Sequence, residues 1–145
     1  QADVIATATN SPDAMIESRH LKTGGVICDI SRPSNVSEAV MRDRSDICYF
    51  DGGVVSLPTG ARLGLHTDLA EGLSYACMAE TMLLALEGRY EDYTLGRRIA
   101  LAKVQEMGQL ACKHGFKVAA LRSFERTVTD KQIAMIRELA QARQR

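Results

Sequence analysis

The apolar positions change period part-way along this chain. Up to Val55 they fall in short unbroken runs: "DVIATATN" (Asp3–Asn10), "VICDI" (Val26–Ile30) and "ICYFDGGVV" (Ile47–Val55). Runs of this length, rich in β-branched residues and without alternation, predict strands covered on both faces. Between the first two lies "SPDAMIESRHL", where Ser11 can cap a helix and Pro12 suits its first position. "KTGG" ends that segment, and "SRPSNVSEAVMRDRSD" predicts a loop with one or two helical turns.

"SLPTGARLGLH" (Ser56–His66) interrupts the pattern with glycine and proline. Beyond it the period becomes helical. Tyr75, Met78, Ala79, Met82, Leu83 and Leu86 recur on one helical face, and Gly88 marks its end. Thr94 is placed to cap a second helix running to about His114, with Gly115 just past it. Its apolar positions are Ile99, Ala102, Val104, Met107, Leu110 and Ala111. "KVAAL" is apolar without a readable period. Thr129 with Gln132 forms a capping box for a last helix, striped by Ile133, Ile136, Leu139 and Ala140. That stripe predicts packing on this chain or on a second copy, which leaves a homo-oligomer open.

Strand, short helix, strand, helical turns, strand is the order of a parallel sheet with right-handed crossovers. It resembles the later part of a Rossmann-type domain. The expected fold class is α/β: the C-terminal half of a Rossmann-type parallel sheet over residues 1–60, then a helical segment over 61–145. A GxGxxG fingerprint is absent, because "TGG", "DGG" and "TGARLG" have the wrong spacing and context. The chain opens at Gln1 directly on a strand-like run, which predicts the C-terminal piece of a longer protein whose N-terminal half carries that loop.

Charge narrows the partners. The 145 residues hold 18 Lys plus Arg against 18 Asp plus Glu, so no global field draws nucleic acid or an anionic membrane. Arg137, Arg143 and Arg145 read as a solvated helix face. No apolar run reaches the roughly 18 residues of a membrane span, and the opening residues lack a secretory-leader pattern. Cys28, Cys48, Cys77 and Cys112 show no CxxC spacing, and His20, His66 and His114 are scattered, so no metal site is expected. Four unpaired cysteines in strands and helices suit a reducing, cytoplasmic location.

Ligands of open α/β sheets bind beyond the C-terminal ends of the strands. Those ends carry Thr9 and Asn10, then Ser31 and Arg32, then Gly52 and Gly53, which are the expected cofactor-binding residues. The glycines would let backbone approach a flat ring closely. Turn residues of a packed domain would read the same way. Cys77 and Glu80 are three apart and share a helical face, at the margin of the Tyr75/Met78/Met82 stripe. A nucleophilic thiol needs a helix N-terminus or a nearby cation. Pattern alone leaves Cys77 open between a packed thiol and a covalent catalyst.

"ACMAETMLLALEG" (Ala76–Gly88), "LGR" (Leu95–Arg97), "VQEMG" (Val104–Gly108) and "KHGF" (Lys113–Phe116) occur in that order, after "DGGVV" (Asp51–Val55). In motif and spacing this region resembles the C-terminal part of the aldehyde-forming long-chain acyl-(acyl-carrier-protein) reductases, over residues 2 to about 121. The resemblance implies that Cys77 takes an acyl group from a thioester of acyl-carrier protein or coenzyme A. It implies that NADPH or NADH then releases the aldehyde, with Glu80 positioning groups or moving a proton. It also implies that the helical segment brings Cys77 to the sheet edge, and that the chain alone is inactive.

The chain departs from the family pattern where Ser56-Leu57 replaces a Glu-His pair, with extra residues through "PTGARLG". Ile30-Ser31 replaces a glycine pair, Leu95 and Arg89 replace tryptophans, and Arg122 to Arg145 has no counterpart. These changes bear on the acyl pocket and the carrier. Two other readings fit the strand pattern: a non-covalent Rossmann oxidoreductase of the shikimate-dehydrogenase type, and a non-catalytic nucleotide-binding or dimerising module.

Overall fold

The computed structural model describes residues 2–65, 67–124 and 126–143. In chain order the elements are β1 (Val4–Thr7), a 3₁₀ turn (Ser18–His20), β2 (Val26–Asp29), α1 (Glu38–Asp43) and β3 (Cys48–Asp51). Then come β4 (Val54–Ser56), β5 (Leu73–Tyr75), α2 (Ala76–Leu86) and α3 (Leu101–Lys113). β6 (Lys117–Val118), β7 (Arg122–Ser123), β8 (Arg126–Thr127) and α4 (Asp130–Arg143) complete the mixed α/β fold. Two compact units form: Gln1–Gly52 with Ala120–Arg145, and Gly53–Ala119. The sequence pattern suggested a division after residue 60; the compact units divide at Gly52–Gly53, and the last stretch rejoins the first unit.

In the first unit β1, β2 and β3 form a small parallel sheet in that order, with Thr7, Asp29 and Asp51 in register at its C-terminal edge. Leu21, Ile27, Val36, Ile47 and Tyr49 make the core, and Phe124 stacks on Tyr49 with centroids 5.0 Å apart. The helix expected from Ser11 and Pro12 does not form. Ser11 Oγ donates to Asp13 O at 3.1 Å and accepts from Asp13 N–H at 3.3 Å, closing a local turn. Ile16 is then extended, its N–H donating to Asn35 O at 2.9 Å.

α4 packs on this unit. Its capping box is made: Thr129 N–H donates to Gln132 Oε1 at 2.9 Å, and Gln132 N–H to Thr129 Oγ1 at 3.3 Å. Ile136 is buried, and Ile133, Leu139 and Ala140 are half-buried, as the stripe predicts. Arg143 is exposed, as expected, and its guanidinium is engaged as well, donating to Thr23 O at 2.5 Å and pairing with Asp3. Arg137 is exposed, and Arg145 and His66 lie outside the described residues.

The second unit holds an antiparallel sheet, β5–β4–β6, so residues after 60 are not purely helical. The run Ile47–Val55, read as one strand, splits at Gly52–Gly53 into β3 and β4, which pair in different sheets. Gly53 has φ of 71°, a turn that β-branched residues resist. α2 and α3 each close with a Schellman motif, Arg89 N–H bonding Leu84 O at 2.9 Å and Phe116 N–H bonding Ala111 O at 2.9 Å. Leu57, Ala79, Leu83 and Phe116 form the core, with Met82, Met107, Leu110 and Ala111 against it. Leu86, expected on the inner face, is 58% exposed, and Leu84 is buried instead. Ile99 and Val104 also face outward. Among the described residues no helix is long and apolar enough to cross a membrane.

Candidate functional site

The C-terminal edge of the parallel sheet is built around Asp29, which is fully buried. Thr7 Oγ1 donates to its Oδ1 at 2.6 Å and Ser31 N–H to the same oxygen at 2.9 Å. Asn35 N–H donates to Oδ2 at 2.7 Å, with Ser34 Oγ 2.8 Å from that oxygen. Outward from it, Asn35 Nδ2 donates to Ser31 Oγ at 2.6 Å, and Ser31 Oγ donates to Thr7 Oγ1 at 3.2 Å. Thr9 joins through its N–H to Ser31 Oγ at 3.0 Å and its hydroxyl to Asn35 Oδ1 at 3.0 Å. The network fixes the loops after β1 and β2 against each other.

Burial alone would raise the pKa of Asp29, but hydrogen bonds from Thr7, Ser34 and Ser31 outweigh it and hold the carboxyl below its usual value. At the next strand end the balance reverses. Burial pushes the Asp51 carboxyl up, against the lowering effect of Tyr49 O–H at 3.0 Å and of Arg32 at 4.0 Å. Burial also pushes the Tyr49 phenol up.

Of the six expected cofactor residues, Thr9, Asn10, Ser31, Arg32 and Gly52 follow the strand ends along this one edge. Gly53 opens the second unit. Ser31 is 1% exposed with its hydroxyl engaged, so it shapes the loop. Gly52 has a packing reason to lack a side chain: a Cβ there would stand 2.7 Å from Cys28 Sγ and 2.8 Å from Ile30 Cγ1. The accessible groups are Thr9, Asn10, Ile30 and Arg32. Amide, guanidinium and apolar surface at such an edge fit part of a dinucleotide.

In the second unit, α2 begins at Ala76, with Tyr75 as N-cap and no side-chain cap, so Cys77 lies in the first turn. Its thiol is exposed, as is that of Cys112, which the sequence suggested would be packed; Cys48 is buried and Cys28 half-buried. Burial pushes the Cys48 thiol up. Glu80 lies one turn beyond Cys77 and is half-buried. Thr94 does not cap α3, which starts at Leu101. Its hydroxyl donates to the Glu80 carboxylate, 2.5 Å from Oε1 and 2.7 Å from Oε2. A cleft of about 360 Å³ opens beside β5, lined by Leu57, Leu63, Leu65, Leu69 and Leu73, with the Arg62–Glu71 ion pair among its walls. Its lining suits aliphatic groups. Among the described residues no cluster of His, Cys, Asp and Glu could hold a metal.

The chain is 37% identical over 129 residues to "Aminotransferase PigE" of Serratia sp., a match covering 87% of this chain and 15% of that protein. It is 30% identical over 127 residues to "Long-chain acyl-[acyl-carrier-protein] reductase" of Synechococcus elongatus, covering 83% of this chain and 37% of that protein. The link to that reductase is distant. The chain thus spans 15% and 37% of the length of these relatives. No family profile matches.

Three parts of these sites are not marked in the sequence: Ser34 and Asn35 have the pattern of a loop, and Thr94 that of a helix cap. The available signal was Asp29 itself, an acid inside an apolar strand, which needs donors nearby.

Proposed function

We propose that this chain carries the acyl-accepting residue and part of the cofactor site of an NAD(P)H-dependent reductase that turns an acyl thioester into an aldehyde. The observation that supports it most is the exposed Cys77 in the first turn of α2, inside the ACxAE motif of a stretch 30% identical to an acyl-carrier-protein reductase. The name of the Serratia relative does not by itself assign amino transfer to the matched stretch, which is 15% of that protein.

Cys77 attacks the thioester carbonyl. A bond forms from its sulfur to the acyl carbon, the carbon–sulfur bond to the carrier breaks, and the carrier thiol leaves with a proton. At the start of α2 the Ala76 N–H donates to Gly53 O at 2.8 Å, while those of Cys77 and Met78 have no intrahelical acceptor and suit a developing oxyanion. Glu80 orients groups or relays the proton, held by Thr94. A reduced nicotinamide, NADPH or NADH, would supply the hydride to the acyl carbon; the carbon–sulfur bond to Cys77 then breaks, the aldehyde leaves, and one proton returns the Cys77 thiolate to the thiol. The first unit is the later part of a Rossmann-type domain in this reading, with Thr9, Asn10, Arg32 and Gly52 at the cofactor and Ser31 holding their loops. The carrier is acyl-carrier protein or coenzyme A, the remaining cofactor site lies in an N-terminal half of the same protein, and the four free thiols suit the cytoplasm.

Aldehyde formation coupled to oxidation of NADPH or NADH, measured on the full-length protein with an acyl thioester, tests the reading. Cys77→Ala should abolish it. Aldehyde production undiminished in Cys77→Ala would favour a non-covalent oxidoreductase.

A further inference from the structure

We propose that Thr94 is a positioning residue for Glu80, set in place by a clamp on its neighbour Tyr93. The inference rests on the roles proposed above for Cys77 and Glu80. Between Gly88 and Leu101 the chain has no helix or strand, yet Tyr93 is only 6% exposed. Polar contacts to α3 hold it there. Lys103 Nζ donates to Tyr93 O at 2.5 Å and lies 4.5 Å from the ring centroid. The Tyr93 hydroxyl donates to Glu106, whose other oxygen is 2.5 Å from Arg89 Nη1. Arg89 itself lies 5.0 Å from the same ring. Lys103 and Glu106 are three apart on α3 and so share a face. Tyr93 is therefore fixed by both its backbone and its hydroxyl, which leaves the next residue little freedom.

That residue gives its one hydroxyl proton to Glu80, 2.5 and 2.7 Å from the two carboxylate oxygens. These distances are in the range for a hydroxyl on a carboxylate. Arg89 and Lys103 could have reached for an acid, but Glu91, Glu106 and the Tyr93 carbonyl hold them. Glu80 is thus fixed by a neutral donor. A carboxylate has about four lone-pair positions, and one hydroxyl leaves others open to accept a proton. Among the described residues no cation pairs with Glu80, so the arrangement orients it without tying it up, which is what a group handling a proton beside Cys77 needs.

A double-mutant cycle on the full-length protein tests this, reading the rate of acyl transfer from an acyl thioester to Cys77 by mass spectrometry. Thr94→Val keeps the shape and removes the hydroxyl; it should slow transfer about tenfold, the size expected for one hydrogen bond to a charged group. Thr94→Ser should restore a rate near wild type. In a Glu80→Gln background Thr94→Val should add little, because the two residues act as one unit. Thermal melts of each variant separate lost folding from lost positioning. Unchanged transfer in Thr94→Val, failed rescue by Thr94→Ser in a folded protein, or full additivity with Glu80→Gln would overturn this inference while leaving Cys77 as acceptor. No acylation of wild-type Cys77 would overturn both.

Discussion

Gly52 and Cys28 leave no space between them for a side chain: a Cβ at Gly52 would stand 2.7 Å from Cys28 Sγ. The approach is fixed by the hydrogen bond from Gly52 N–H to Asp29 O at 2.8 Å. Gly52→Ala should therefore destabilise the protein by about 1–3 kcal/mol, the range for overpacking. Cys28→Ala in the same chain should recover part of that loss. Denaturant melts of the three variants decide it, and equal stability of Gly52→Ala and wild type would return Gly52 to a purely ligand-facing role.

Gly24 meets α4 in the same manner. Its φ is 75°, and a Cβ there would lie 2.5 Å from the backbone nitrogen of Ala140. Backbone cannot rotate away as a side chain can. Gly24→Ala should lift α4, costing about 2 kcal/mol or more from strain and clash together. Amide exchange over residues 130–143 should accelerate, while exchange in α2 stays unchanged.

Acid should weaken the first unit. Asp46 is held at about 2 chiefly by its hydrogen bonds with Arg44, and also by Thr23, against the opposing effect of burial. Its folded pKa lies below the unfolded value of about 3.9. The stability it contributes is present above that value and is lost as pH falls from about 4 through about 2. With allowance for solvent screening this amounts to about 1–2 kcal/mol. Asp29 has the same sign. Asp51 has the opposite one, since burial raises it, and its share is lost as pH rises. Melting temperature followed from pH 5 to pH 2 should fall, and less steeply in Asp46→Asn.

Features with local causes were legible in the sequence. The capping box of Thr129 and Gln132, the glycines after α2 and α3, and the order of β1, β2 and β3 depend on residues close in sequence. Features with distant causes were not. Thr94 looks like a cap because its hydroxyl must find an acceptor, and the acceptor is Glu80, fourteen positions away. Leu86 fits the stripe drawn along α2 and Leu84 does not, yet Leu84 is buried and Leu86 exposed, because burial depends on what the rest of the chain packs against the helix. Gly52–Gly53 reads as the middle of one strand because pairing partners are not written in the run itself.

The central claim is that Cys77 accepts an acyl group, and one measurement bears on it most directly. The full-length protein is incubated with an acyl thioester and no reduced nicotinamide, then digested and mapped by mass spectrometry. The account predicts an acyl adduct on Cys77 and none on buried Cys48 or on Cys112, which is also exposed but does not lie at a helix N-terminus. An adduct on Cys112 instead of Cys77, or none on either, would contradict it.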